Sequence, residues 1–319
     1  LKYYERISQC ATVQSVLRAI ARGRSSHAYL ICSEDEYTNH VVTAAIISQM
    51  IGGDPQRAYD GAYADIRFFP TEDRDKILVR DIDDVTSTAS VTPTELPYKF
   101  YVIKKAETMN DSAQNKLLKT LEEAPSKTVI ILESVGVKSL LPTVLSRCNK
   151  VEVPPFDYRE IEEAMLSQYG GDERIYPAVG LSGGYFGKAE SVMGQKSYYE
   201  SFRFALETLV FMKTSRNILS YSAKWMAKKD SLIEIIDCLA VIFGDCLNYS
   251  AGRISEVRLK SFTKEINELS KLYDYRVCAF ELPVLTEAKR KLSFNCNAQA
   301  VIDGLLFSIL EVKAKCQKS

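Results

Sequence analysis

Histidine occurs twice and tryptophan once in 319 residues, and none of the eight cysteines forms a C-x-x-C pair. A zinc site and a histidine-based catalytic centre therefore have no sequence spacing to rest on. The cysteines are Cys10, Cys32, Cys148, Cys238, Cys246, Cys278, Cys296 and Cys316. A chain this long needs no disulfide staples, so free and mostly buried thiols in a reducing cytosol are expected. Net charge is lacking as well, since 41 Lys+Arg balance 41 Asp+Glu. No global field steers the chain to nucleic acid or membrane, and any DNA contact must be a local patch. The longest apolar runs, such as Leu239–Phe243, fall far short of the ~20 residues that span a bilayer. Charged Lys2, Glu5 and Arg6 precede no long apolar stretch, so no signal segment is expected. A soluble, cytoplasmic chain without a membrane partner follows as the expectation. Repeats and low-complexity tracts are also absent.

What is present is apolar material enough for real cores, 46% of the residues, and a length that suggests two or three domains. Val13 to Arg22 carries Val13, Val16, Leu17 and Ile20 at helical spacing and ends at Gly23. His27 to Cys32 is a short apolar run suited to a buried parallel strand. A polar segment from Ser33 to Asn39 follows, then a helix from Val41 to Ile51. Further strands are expected at Asp65–Pro70, Lys99–Ile103, Thr128–Leu132 and Lys150–Val153. Helices are expected at Leu78–Ser90, from an Asn110 cap to about Ala124, and at Leu140–Leu145. Strands alternating with helices predict a parallel sheet covered by helices. After Pro154-Pro155 the strand pattern stops. Helices are expected at Tyr158–Tyr169 and Asp172–Leu181, with a third opening at Gly183-Gly184. From about Lys196 the pattern is long helices only, including Ser231–Tyr249, Ser255–Tyr273 and Ala298–Lys315. The expected layout is an α/β domain at 1–155, a small helical domain at 156–195 and a larger helical domain at 196–319.

Three segments taken together carry a resemblance. They are His27-Ala-Tyr-Leu, the run from Ala113 to Pro125 (Ala-Gln-Asn-Lys-Leu-Leu-Lys-Thr-Leu-Glu-Glu-Ala-Pro), and Leu141-Pro-Thr-Val-Leu-Ser-Arg-Cys148. In order and spacing they resemble the AAA+ ATPases of bacterial DNA polymerase III clamp loaders. The stretch Leu181–Glu190 resembles that family's sensor-2 segment. Asn295-Cys-Asn297 with Ile302-Asp-Gly-Leu-Leu306 resembles a piece of its collar domain, more loosely. The resemblance implies a RecA-like AAA+ core, a helical lid and an all-α C-terminal collar.

The same alignment exposes two losses. A phosphate-binding loop reads G-x-x-x-x-G-K-[ST], because glycines let amides wrap the phosphates, Lys neutralises charge and Ser/Thr holds magnesium. The matching stretch is Ser33-Glu-Asp-Glu-Tyr-Thr-Asn-His40, with no glycine, Asn39 in place of Lys and His40 in place of Ser/Thr. Glu34, Asp35 and Glu36 would repel a triphosphate, each close contact costing on the order of several kcal/mol. After the third strand an ATPase presents Asp-Glu to hold magnesium, whereas this chain has Lys104-Lys105-Ala106-Glu107, with Glu107 read as a surface residue. No bound cofactor is expected. Ser146, Arg147 and Cys148 are retained, and in this family that arginine reaches a neighbouring subunit's γ-phosphate. A local ion pair, for example with Glu152, is the plainer alternative for Arg147. Lys188 would be a vestige of sensor 2, and His27 is expected to pack or cap at the strand entry.

Many members of the family carry a four-cysteine zinc module, but the matching stretch Gly52–Gly61 has no cysteine, so no metal is expected. Lys116 and Lys119 share a helix face that in clamp loaders looks toward DNA, and the residues allow either phosphate contact or plain solvation. Ile82-Asp-Asp-Val85 stands where relatives carry an arginine, so Asp83 weakens any DNA contact. The resemblance implies a non-hydrolysing subunit that joins gamma/tau and delta subunits, acts through the complex on the sliding clamp and primer–template DNA, and is a monomer when alone. Two alternatives stay open: a hydrolysing gamma/tau-type subunit, and an AAA+ adaptor of replication or repair outside the clamp loader.

Overall fold

The computed structural model describes residues 1–72, 74–294 and 296–316. Asn295, part of the collar-like segment, lies outside the described residues. Two compact units emerge: Leu1–Pro155 with Tyr185–Gly187, and Phe156–Gly184 with Lys188–Ser319.

The first unit is built on strands β1 (Ala28–Cys32), β2 (Ile66–Phe69), β3 (Lys99–Ile103), β4 (Thr128–Ser134) and β5 (Asn149–Glu152). Their order is β2-β3-β4-β1-β5 and every pairing is parallel. Strands buried on both faces read as continuous apolar runs, which is why β1, β3 and β4 stood out in the sequence. Between them run α1 (Tyr4–Ser8), α2 (Ala11–Ala21), α3 (Glu36–Ile51), α4 (Pro55–Tyr59), α5 (Val79–Thr88), α6 (Asp111–Glu122) and α7 (Pro142–Leu145). Alternation along the strands divides the side chains between the two faces. Leu30, Tyr101, Ile103, Ile130 and Leu132 form a core with Ile82 and Val85 of α5 and Ala113, Leu117 and Leu121 of α6. The opposite face is covered by α2 and α3. α3 is buried continuously from Thr38 to Ser48, as befits a helix that is apolar on nearly every side.

α3 begins at Glu36, not at Val41 as the periodicity predicts. Asp35 caps it, its carboxylate accepting the Thr38 N–H at 3.2 Å. That cap recruits the first polar turn, which carries no apolar period of its own.

The second unit consists of α8 (Tyr158–Tyr169), α9 (Ile175–Leu181), most of α10 (Phe186–Gly194), α11 (Lys196–Phe211), α12 (Ser215–Met226), α13 (Leu232–Ser250), α14 (Thr263–Leu272), α15 (Tyr275–Ser293) and α16 (Ala298–Cys316). Phe202, Leu209, Trp225, Leu239, Phe243, Leu269, Tyr273 and Leu306 lie in one core. The Trp225 indole N–H donates to Thr208 Oγ1 at 3.3 Å, and the Tyr273 hydroxyl donates to the Leu209 carbonyl at 2.9 Å. These bonds satisfy the polar tips of two large buried side chains.

The helix expected over Ser255–Tyr273 is interrupted: short 3-10 turns at Ile254–Glu256 and Lys260–Phe262 precede α14. Buried Asp245 of α13 explains the break. Its carboxylate accepts the backbone N–H of Arg258 at 3.0 Å and of Leu259 at 2.8 Å, and the Arg258 guanidinium at 3.0 Å. Those amides are thereby diverted from helix bonding.

No described helix is long and apolar enough to cross a membrane.

One buried carboxyl makes a pH prediction. Glu281 of α15 is fully buried; Oε1 accepts from the Ser308 hydroxyl at 2.8 Å, and Oε2 has no hydrogen-bond partner. Burial pushes its pKa up from 4.5 to about 7. The folded state therefore holds a proton that the unfolded state releases, and stability falls as pH rises from about 4.5 to 7. Each pKa unit is worth about 1.4 kcal/mol. Glu281→Gln is expected to remove that slope and to raise the melting temperature at pH 8, measured by thermal denaturation at pH 5 and pH 8.

Candidate functional site

Parallel strands bring their carboxyl ends to one edge of the sheet, where open α/β folds hold ligands. Cys32 of β1 lies beside Ser134 of β4, and Ile103 of β3 lies beside Leu132. The stretches Ser33–His40, Lys104–Glu107 and Ser134–Val135 therefore meet there.

The side chains of the degenerate loop are engaged with one another and with the sheet. The Ser33 hydroxyl donates to Asn39 Oδ1 at 2.8 Å, and Asn39 Nδ2 donates to the Ser134 carbonyl at 2.9 Å. Asn39 is 1% exposed, so the side chain standing for the phosphate-loop lysine points into the protein as a tie between α3 and β4. His40 lies between Glu133, whose Oε1 is 2.9 Å from Nδ1, and the Tyr59 carbonyl, 3.0 Å from Nε2. Thr43 donates to the same Glu133 oxygen at 2.5 Å. His40 and Glu133 thus form a buried, hydrogen-bonded pair that joins α3 to β4. Tyr59 and Phe68 rings close around the imidazole, with centroids 4.4 and 5.1 Å away.

Asp35 holds the entrance. Its Oδ2 accepts the Thr38 N–H, the Thr38 hydroxyl at 2.6 Å and the Gly187 N–H at 3.0 Å. A Cβ on Gly187 would collide with this carboxylate and with Tyr37, so glycine is required there. The expected repulsion by three acidic residues needs correction: Glu34 and Glu36 are exposed, but Asp35 is turned inward onto amides. Sequence reading missed this contact, because Asp35 and Gly187 lie 152 residues apart.

At the end of β3 the charges are reversed relative to an ATPase. Lys105 Nζ lies 2.6 Å from Asp75 and 3.7 Å from Glu36 of α3. Glu107, expected at the surface, is half-buried instead; its Oε2 accepts from the Ser134 hydroxyl at 2.9 Å and the Val135 N–H at 3.2 Å. These residues do not fit a magnesium–triphosphate group. The amides at the start of α3 face a carboxylate, no lysine reaches the site from the loop, and the β3 end is cationic.

The retained motif lies elsewhere. Ser146 follows α7, and its hydroxyl donates to the Thr143 carbonyl at 3.1 Å. Cys148 packs against the α5–α6 core, and burial pushes its thiol up to about 12, which makes it an anchor rather than a nucleophile. Arg147 is one-third exposed and pairs with Glu122, not Glu152, which pairs with Lys150. Gln114, fully buried, connects α6 to the segment ahead of α7. It donates to the Met109 and Ser139 carbonyls at 3.0 and 2.9 Å and accepts the Leu141 N–H at 2.7 Å. His27 Nε2 sits 2.8 Å from the Leu121 carbonyl and ties the start of β1 to the last turn of α6. Lys116 and Lys119 are exposed on α6, and Lys116 forms an ion pair with Asp83 of α5.

Fold and site define an AAA+-type core in which the key polar side chains of the phosphate-loop position, Asp35, Asn39 and His40, are bound within the chain itself. The sequence matches the family described as "DNA polymerase III, delta subunit" over residues 8–157. It is 23% identical to DNA polymerase III subunit delta' of Bacillus subtilis over 322 residues, covering 95% of this chain and 96% of that one. It is 32% identical over 83 residues to subunit tau of the same organism, covering 26% of this chain and 14% of that one. A solved gamma subunit-related protein of Thermotoga maritima superposes with a TM-score of 0.50 at 18% identity, over 93% of this chain and 99% of that one, a likeness of fold alone. Residues 8–157 thus match the DNA polymerase III delta-subunit family, and nearly the whole chain is similar to a delta' subunit.

His40→Ala would leave buried Glu133 with Thr43 alone as its donor and open a gap beside Tyr59 and Phe68, at a cost of about 2 kcal/mol. Urea denaturation is expected to show a loss of that order for His40→Ala, and a change within about 0.5 kcal/mol for Lys119→Ala on the open face of α6.

Proposed function

We propose that this chain is a non-hydrolysing subunit of the clamp loader, which assembles with gamma/tau and delta subunits to load the sliding clamp onto primed DNA. The observation that carries the reading is the chemistry of the phosphate-loop position: Asp35 on the Thr38 amide of α3, and Asn39 and His40 turned into the core. A carboxylate held at a helix N-terminus answers the positive charge that would otherwise attract a phosphate, and repels a second anion. The swapped charges at Lys104 and Lys105 support the same reading, since magnesium needs oxygen ligands there.

In this reading the contribution to chemistry is made in trans. Arg147, one-third exposed beside a half-buried Cys148, would reach the ATP held by a neighbouring subunit and stabilise charge that develops in phosphoryl transfer. Ser146 and Cys148 set the backbone that presents it. Residues 156–195 would act as the lid and 196–319 as the collar that joins the ring, while the isolated chain would be a monomer. Lys119 would meet DNA phosphate without reading bases. Lys116 is a weaker candidate, because Asp83 already answers its charge.

Two measurements test the reading. Isothermal titration of the isolated chain with Mg–ATP is expected to show no binding; micromolar binding would restore a gamma/tau-type reading. In a complex reconstituted with gamma/tau and delta subunits, Arg147→Ala is expected to lower DNA-stimulated ATP turnover by roughly ten-fold or more. Unchanged turnover in an intact complex would leave the Ser-Arg-Cys segment with a structural role only.

A further inference from the structure

We propose that Glu122 is the resting partner of Arg147 and competes for it with the phosphate of a neighbouring subunit, which makes Glu122 a positioning residue for the reaction in trans. This rests on the reading of Arg147 given above.

The guanidinium is engaged on both edges within its own chain. Nε donates to Glu122 Oε1 at 2.7 Å, and Nη2 lies 2.5 Å from the same oxygen as an ion pair. Nη1 donates to the Thr143 carbonyl at 2.9 Å and to Ser146 Oγ at 3.3 Å. In that pose the edge formed by Nε and Nη2 is closed to an incoming anion. Bidentate recognition of phosphate needs two parallel N–H groups, and Glu122 occupies the pair best placed to supply them.

The location of Glu122 shows why it takes a cation. It lies in the last turn of α6, where unpaired carbonyls and the negative end of the helix dipole disfavour a carboxylate. Arg147 offsets that disadvantage from 25 residues away. Yet both partners stay open to solvent, 33% and 47% exposed at the side chain. An exposed pair of this kind is weak and yields to a stronger anion. A phosphate brings more charge and three acceptor oxygens, so it displaces the carboxylate, whereas a chloride or a passing carboxylate gains little. Glu122 thus lowers the fraction of Arg147 that is free to bind, and the apparent affinity for the phosphate falls by the same fraction.

The test is steady-state ATPase of the complex reconstituted with gamma/tau and delta subunits, as a function of ATP, for four forms of this chain: unchanged, Glu122→Gln, Arg147→Ala and the double variant. Glu122→Gln is expected to lower the KM for ATP about two- to five-fold, the range an exposed ion pair sets, with kcat unchanged. The shift is expected to vanish in the double variant. A purely structural Glu122 would alter melting or assembly and leave KM in place. If Arg147→Ala slows turnover while Glu122→Gln leaves KM the same or raises it, the competition is refuted and the trans reading of Arg147 stands. If Arg147→Ala has no effect on an assembled complex, the trans reading fails and the role of Glu122 falls with it.

Discussion

The amides at the start of α3 have to be answered by an anion. A helix begins with N–H groups that have no partner inside the helix, and the dipole concentrates positive charge there. Phosphate-binding folds leave those groups for a ligand. In this chain Asp35 answers them, and much of the surrounding geometry follows. With the cap at Asp35, α3 starts early enough to bring Thr38, Asn39 and His40 inside the fold. Asn39 then reaches the end of β4, and His40 reaches Glu133. The same carboxylate oxygen also takes the Gly187 N–H, which ties the segment Tyr185–Gly187 to the first unit.

Seen this way the two sequence losses are one change. An ATPase keeps a cationic, amide-rich loop facing acidic residues at the end of β3, and magnesium–phosphate reconciles them. Here the loop is acidic and the β3 end is basic. Lys105 lies near Glu36 and Asp75, so opposite charges still face each other without an ion between them. A loop made acidic beside an intact acidic β3 end would place several carboxylates together with nothing to separate them. The second change compensates the first.

The sheet was legible because β1, β3 and β4 are buried on both faces and so lack polar interruptions. The Ala113–Pro125 and Leu141–Cys148 runs were legible as motifs, but not the work of their polar letters. Gln114 proves to connect α6 to the segment before α7, through bonds to residues up to 27 positions away. What failed to show in the sequence shares one physical feature: a polar side chain acting on distant backbone or a distant charge. Asp35 moves the start of α3, and Asp245 breaks the helix expected over Ser255–Tyr273. Glu107 is drawn off the surface by Ser134 and Val135. Hydrophobic period carries no record of such bonds, so a periodic reading extends or shortens helices wherever one of them intervenes.

Rigidity around Arg147 comes from the core and freedom comes from the tip. Cys148 is packed under α5 and α6, Gln114 fixes the chain before α7, and Ser146 bonds back to Thr143. The backbone on both sides of the arginine is therefore held by buried contacts, while its guanidinium is held only by exposed ones. A side chain built in this way can change partners without disturbing the fold, because the bonds it exchanges are worth little and the bonds that place it are not touched. The tied-down loop and the movable arginine are thus complementary consequences of one division: Ser33, Asp35, Asn39 and His40 are buried and fixed, and the charge able to act outside the chain is left at the surface.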